Sequence, residues 1–252
     1  MTTVGIIVAM RGEAGPLLKL VGSSTAGRLG GRKAWRFQTG ACRCVMILSG
    51  MGLEPARKAA RALVEAESPQ ALLSFGIAGA LGEGFAIGDL VAGERSRMWE
   101  DGRLGTAFPL AALSDTAQRA ASAVAAALGV RCVTGTVVTV RGIQPIPAVP
   151  AVVSVVDMET FAIAQVAAER GIPLFSIRSI SDSPEEPIPF TMGDGEDFHL
   201  QPFALLGAVI RNPRIIRTLL RLKHNSAKAA RNLAEVVFAI LTRMQPVTRS
   251  RD

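Results

Sequence analysis

Three apolar, β-rich runs in this chain each lead into acidic residues. Glu13 follows Val4-Gly-Ile-Ile-Val-Ala-Met10, Asp157 and Glu159 flank Met158 just after Val152–Val156, and Asp182 follows Leu174–Ile180 and Ser181. In an open α/β sheet, ligands bind outside the carboxyl ends of the strands. Acids leaving separate strand ends therefore converge on one pocket. Such a set suits proton chemistry on a small organic substrate. Plainer readings exist for each residue. An acid in the first turn of a helix gains from the helix dipole, which accounts for Asp157 or Glu159 but not for both with Met158 between them. Asp182 could simply cap whatever follows.

Two glycine runs also follow strand-like segments. Gly76-Ile77-Ala78-Gly79 after Ala71–Phe75 reads as a tight ligand-facing turn, because glycine lets backbone amides approach a ligand closely. Its spacing does not fit a dinucleotide fingerprint. Ser49-Gly50-Met51-Gly52 after Cys44–Leu48 is a second glycine turn, as well suited to structure as to phosphate binding.

The elements that must carry these residues alternate along the chain. Val4–Met10, Ala34–Thr39, Cys44–Ser49, Ala71–Phe75, Val133–Val140, Val152–Val156 and Leu174–Ile180 read as strands, the second and third as a hairpin turning near Gly40. Pro55–Glu65, Asp115–Leu128 and Met158–Arg170 read as helices, the second capped by Ser114 or Asp115. This alternation predicts an α/β fold with a mostly parallel sheet and helices on both faces. Ser183–Pro202, with four prolines and five acids, reads as a loop or lid.

The charge is unevenly placed. Residues 203–252 hold ten Arg or Lys against Glu235 and Asp252, a net of +8, so in a chain of +7 the other 202 residues stand at −1. After Asn212-Pro213, a cap and first-turn proline, Arg214, Arg217, Arg221, Lys228 and Arg231 share one helical face. Ile215, Leu219, Ser226, Ala230, Leu233, Val237 and Ile240 share the opposite face, with a break expected near His224-Asn225-Ser226. A basic stripe of this kind meets anionic headgroups or stays solvated on a packed helix. Neither a recognition motif nor interleaved aromatics points to nucleic acid. No apolar run reaches the length of a membrane span, and the N-terminus has no signal-peptide pattern, which predicts a cytoplasmic protein. Cys42, Cys44 and Cys132 read as reduced thiols, with no metal-ligand spacing.

Six pieces in order carry a resemblance: Val4–Met10 with Glu13, Leu48-Ser49-Gly50-Met51-Gly52, Phe75-Gly76-Ile77-Ala78-Gly79, Ile87-Gly88-Asp89-Leu90-Val91, Val156-Asp157-Met158-Glu159, and Ile180-Ser181-Asp182. Together they resemble the purine nucleoside phosphorylase superfamily, in the branch of the methylthioadenosine/S-adenosylhomocysteine nucleosidases, over most of residues 4–182. The tail from Arg211 to Leu222, and the short connection from Val140 to Asp157, resemble the hopanoid-associated phosphorylases, which remove adenine from adenosylhopane. The resemblance implies a single-domain, three-layer α/β catalytic domain over 1–202 with a central mixed, mostly parallel sheet, and a basic helical extension over 203–252.

It also implies roles. Glu13 matches the carboxylate that handles the attacking water, Met158 and Glu159 the pair that holds the ribose, and Asp182 the acid that protonates purine N7. Gly76, Ile77, Ala78, Gly79, Ile143, Asp157 and Ser181 match base- or ligand-facing positions. Ile77 stands where a small polar residue is usual, and Ile143 near an expected stacking aromatic. Arg11, Ser49 and Gly50 are candidate phosphate ligands, as are Arg141 and Arg178, the last better placed as a structural partner for an acid. No Arg-and-Ser phosphate cradle is present, since Ser74 sits where an Arg would be; phosphate or water is the acceptor. The resemblance implies no cofactor and no metal, a small adenine nucleoside as ligand, lipid-linked in the hopanoid branch with peripheral membrane contact, and a homodimer or higher homo-oligomer.

Overall fold

The strand β1 (Thr2–Val8) is apolar on both faces, and such a strand is stable only inside a sheet covered on both sides. In the computed structural model, which describes residues 1–142, 154–182 and 214–244 (backbone alone at 214–219), β1 lies between β4 (Cys42–Leu48) and β5 (Ala71–Ala80), parallel to both. On the far side of β4, β3 (Arg32–Thr39) and β2 (Thr25–Leu29) continue as an antiparallel meander. On the far side of β5 lies β10 (Leu174–Asp182), again parallel.

Beyond this parallel centre the sheet curls on itself. β10 pairs antiparallel with β6 (Leu90–Glu100), β6 parallel with β8 (Cys132–Thr139), β8 parallel with β9 (Ser154–Asp157), and β9 returns antiparallel to β5. β7 (Arg103–Pro109) hangs from β6. Five strands thus close into a small ring, where an open sheet was expected. The mixed sheet with a parallel centre agrees with the sequence expectation.

Two apolar cores cover the sheet. On one face, α2 (Leu53–Glu67) and α4 (Thr160–Glu169) pack against each other over Ile7, Val45, Leu72, Val155 and Ile180. On the other, α1 (Arg11–Val21), α3 (Asp115–Ala127) and α5 (Arg214–Arg243) cover Val4, Ile6, Leu73, Phe75 and Ile177. Ser114 caps α3 as expected, its hydroxyl accepting from the Ala117 amide at 3.4 Å.

The structure departs from the sequence reading in three places. β6, β7, β2 and α1 were not foreseen. Gly76–Gly79 is not a turn: it is the second half of β5, paired with β10 and β9. The helix α5 runs unbroken through His224-Asn225-Ser226, and its second half packs on the body of the domain. Ala230, Leu233, Val236, Val237, Ile240 and Leu241 are buried in the same core as α1 and β5. The end of α5 lies so close to the β3–β4 turn that a Cβ on Gly40 would stand 2.5 Å from the Thr242 carbonyl oxygen. The segment 183–202, the Asn212-Pro213 cap, Ile143 and the side chains of Arg214 and Arg217 lie outside the described residues. Among the described residues no helix is long and apolar enough to cross a membrane.

Candidate active site

Glu13 occupies the third position of α1, and its carboxylate turns back to the chain entering the helix. Oε2 accepts from the Met10 amide at 2.8 Å, half of a capping box. Oε1 reaches across to β5 and accepts from the Ile77 amide at 2.9 Å. The residue is only 3% exposed. Burial pushes its pKa up, against the pull of the two amides and of Arg178.

The glycines of β5 explain themselves here. A Cβ on Gly76 would lie 2.9 Å from Glu13 Oε1, and one on Gly79 would lie 2.6 Å from Asp182 Oδ2. Glycine at these positions clears space for the two carboxylates. No left-handed backbone is involved, since neither residue has a positive φ.

Asp182 ends β10 where its register against β5 slips between Ile180 and Asp182. The Ser181 hydroxyl donates to Asp182 Oδ1 at 2.6 Å. Burial raises the Asp182 pKa, and this one hydrogen bond lowers it only in part.

Glu159 precedes α4. Its Oε1 accepts from the Gly52 amide at 2.8 Å, which ties the second glycine turn to the site. The residue keeps some solvent contact, but the carboxylate is surrounded by protein and by Asp157 and Glu13. Its pKa is pushed up to about 8, first by burial and then by the repulsion of Asp157. Met158 stands half-buried beside it.

Asp157 has a different environment. Oδ1 accepts from Thr139 Oγ1 at 2.6 Å, and Oδ2 accepts from the Thr160 amide at 3.0 Å and from the Thr160 hydroxyl. Oδ2 also accepts from Arg178 Nε at 3.1 Å and Nη2 at 2.8 Å. Arg178 further donates to Ser74 Oγ at 2.8 Å and to the Ile177 carbonyl at 3.1 Å. The pair is almost wholly enclosed, with side chains 2% and 1% exposed. Asp157, expected to face ligand, is thus turned inward and occupied by Arg178 and two threonines. It fixes the start of α4 and hence Glu159. Arg178 is the structural partner of an acid, as its position suggested.

The candidate phosphate ligands are not brought together. Arg11 is exposed at the start of α1, and Arg141 pairs with Glu100 at the surface. The Ser49 hydroxyl donates to the Gly50 carbonyl at 2.8 Å. In the turn, the Ser49 amide donates to Val8 O, the Gly50 amide to Ala9 O and the Gly52 amide to Glu159. Sequence reasoning missed Thr139, Thr160 and the partnership of Gly52 with Glu159. Only the glycine run hinted at the last. Among the described residues no group of three His, Cys, Asp or Glu could hold a metal ion.

Known proteins resemble this chain in sequence and in fold. The profile described as Phosphorylase superfamily matches residues 3–201. A 5′-methylthioadenosine/S-adenosylhomocysteine nucleosidase of Shewanella piezotolerans is 29% identical over 199 residues, covering 71% of this chain and 86% of that protein. In three dimensions, the same kind of nucleosidase from Neisseria meningitidis, solved with methylthio-immucillin-A, superposes with a TM-score of 0.72 at 21% identity, covering 97% of this chain and all of that one (100%). A futalosine hydrolase mutant of Helicobacter pylori superposes with a TM-score of 0.71 at 18% identity, over 97% of this chain and 100% of that one. At such identities these two structures speak to the fold.

Proposed function

The chain belongs to the phosphorylase superfamily, and from that premise we propose that it is an enzyme cleaving the N-glycosidic bond of an adenine nucleoside modified at its 5′ position, releasing adenine. The observation that carries this reading is the trio Glu13, Glu159 and Asp182, three carboxyls from three elements, each with its pKa raised. Burying three carboxyls, so that each charged form is disfavoured, suits proton transfer better than binding alone.

Cleavage of an N-glycoside passes through an oxocarbenium-like state and needs the purine to leave as a neutral base. Asp182 is the acid that protonates the leaving purine at N7. Met158 and Glu159 hold the ribose, Met158 by packing and Glu159 through the hydroxyls. Glu13, anchored by two amides, keeps its remaining lone pairs for the attacking water. Water is favoured over phosphate because three amides of the glycine turn, which would otherwise cradle an anion, are already committed.

For the 5′ group, we favour the lipid-linked adenosylhopane. Its support is the first half of α5, where Leu220 is 62% exposed and Arg221, Lys223, His224 and Lys228 are exposed beside it, suited to an anionic membrane surface. A second reading, a methylthioadenosine/S-adenosylhomocysteine nucleosidase, has the Shewanella relative in its favour. The test is adenine release by the purified chain from adenosylhopane, methylthioadenosine, S-adenosylhomocysteine and adenosine, each with and without phosphate. No adenine from any of them defeats the enzyme reading. Brisk methylthioadenosine cleavage with no turnover of adenosylhopane selects the second. Cutting the chain before α5 would remove core residues, so membrane contact is tested with Lys223, Lys228 and Arg231 changed to Gln in the full chain. Salt-sensitive sedimentation with anionic liposomes should weaken in that variant.

A further inference from the structure

We propose that Asn232, on the tail helix α5, is a positioning residue for Asp182, acting through Gly88 and Ile180; this rests on the reading of Asp182 as the acid. The connection is a short chain of hydrogen bonds. Asn232 Nδ2 donates to the Gly88 carbonyl at 3.3 Å, and the Gly88 amide donates to the Ile180 carbonyl at 2.9 Å. The Ile180 amide in turn donates to the Asp89 carbonyl at 2.9 Å. Ile180 is thus held through both its amide and its carbonyl by the Gly88–Asp89 segment, two residues before Asp182 and at the point where β10 slips its register.

The grip is built for close contact. Gly88 has φ +97, and a Cβ there would overlap the Asn232 amide. The loop beneath is pinned by Asp89, 2% exposed, whose Oδ2 accepts from the Ala86 amide at 3.0 Å and from Arg131 Nη2 at 2.7 Å. Asn232 is itself 8% exposed and sits among the buried residues of α5. It lies beyond the segment matched by the family profile, 3–201, so the catalytic strand of this chain takes support from a helix outside that segment.

A strand end so held keeps Asp182 in its enclosed place, where burial raises its pKa. Among the described residues, the charged groups around this strand end are the Asp89–Arg131 pair and Lys228 on α5 beside Gly88, with Glu13 and Glu159 elsewhere in the site; β5 contributes none. Releasing the grip admits water to Asp182 and shifts its titration toward that of an ordinary carboxyl. The alkaline limb of turnover, where the acid loses its proton, then moves to lower pH.

The test uses the full chain, with methylthioadenosine cleavage followed across pH, and with the Asp182 side chain titrated by carboxyl-carbon NMR, its signal assigned from Asp182→Asn. Asn232→Leu keeps the volume and removes the donor. It should lower kcat roughly tenfold, short of the ~100-fold that a 1 Å misplacement costs. KM should stay within about twofold, since the acid acts on the leaving group. Both the alkaline limb and the NMR titration should move to lower pH. Val237→Ala serves as the control, weakening the packing of α5 without touching Gly88; it should leave both titrations in place. If Asn232→Leu does not fold, Asn232→Ser carries the same test. Wild-type turnover and an unmoved Asp182 titration in the Asn232 variant would overturn the proposal while Asp182→Asn remained inactive. An active Asp182→Asn would instead remove the acid assignment, and the NMR titration would still report whether Asn232 positions the strand end.

Discussion

Replacing Arg178 with Met removes the guanidinium held by Asp157 and leaves that carboxylate enclosed. The pair is 2% and 1% exposed, with Nη2 and Oδ2 2.8 Å apart. At an effective dielectric of ~20 the direct attraction is about 6 kcal/mol, but both ions have been stripped of water, so the net contribution is far smaller. Removing one member of such a pair typically costs about 3–5 kcal/mol. Asp157 would keep Thr139 Oγ1 and the two donors of Thr160, which places the loss near the lower end, about 3 kcal/mol. Urea unfolding of the full chain at pH 7 measures it. Asp157→Asn alone should also destabilise, because it leaves Arg178 charged and unpaired. The double variant should recover part of the loss, with a coupling of at least ~1.5 kcal/mol.

The same substitution has a catalytic signature. Arg178 holds down the pKa of both Glu13 and Glu159, whereas Asp157 raises them. Arg178→Met should therefore shift the titration of both acids to higher pH, and Asp157→Asn to lower pH. A loss below about 1 kcal/mol, with no coupling and both titrations unmoved, would refute the reading of this pair as the fixed frame of the site.

Gly79→Ala should fold yet lose on the order of 100-fold in kcat, because its Cβ would press on Asp182 Oδ2 at 2.6 Å, and Gly76→Ala should do the same through Glu13; steady-state adenine release checks both. Asp182→Asn should cost ~10²–10⁴-fold in turnover with nucleoside binding retained, measured by calorimetry beside the same assay. Glu159 binds its proton more tightly folded than unfolded, so its contribution makes stability fall as pH rises from about 4.5 to about 8. Glu159→Gln should remove that slope and stabilise the chain by about 1–2 kcal/mol at pH 8 while impairing activity, as urea unfolding at several pH values would show. Val237→Ala, in the core half of α5, should cost about 1–2 kcal/mol by the same measurement.

How far the sequence speaks depends on the range of the interaction. The β3–β4 hairpin, the Ser114 cap and the strands before each acid were legible, because period-two patterning and cap chemistry are local. So was the sidedness of α5: Ala230, Leu233, Val237 and Ile240 are buried while Lys228 and Arg231 are exposed. What that stripe packs against was not legible, since any apolar face satisfies the same pattern. The glycines of Gly76–Gly79 were misread as a turn for a related reason. Their cause is the bulk of Glu13 and Asp182, which are distant in sequence. The ring closure from β5 through β10, β6, β8 and β9 was equally hidden, because it depends on pairings that span the chain.

Among the described residues, the enclosed cation of the site, Arg178, pairs with Asp157 rather than with an acid assigned to catalysis. Arg178 lies against Asp157, which touches no substrate in this reading, and its pull on Glu13 and Glu159 is secondary to burial. Had the guanidinium met Glu159 directly, that carboxyl would be fixed as a charged ion. Instead, a fully paired Asp157 adds repulsion to burial, and the Glu159 pKa rises to about 8. One carboxylate is thus committed to structure so that its neighbour can hold or release a proton near neutrality. Asp182 also has its pKa raised by burial, with a serine hydroxyl rather than a cation beside it. Local rules for acids in helix first turns treat Asp157 and Glu159 alike; Arg178, brought in by β10, gives them opposite roles.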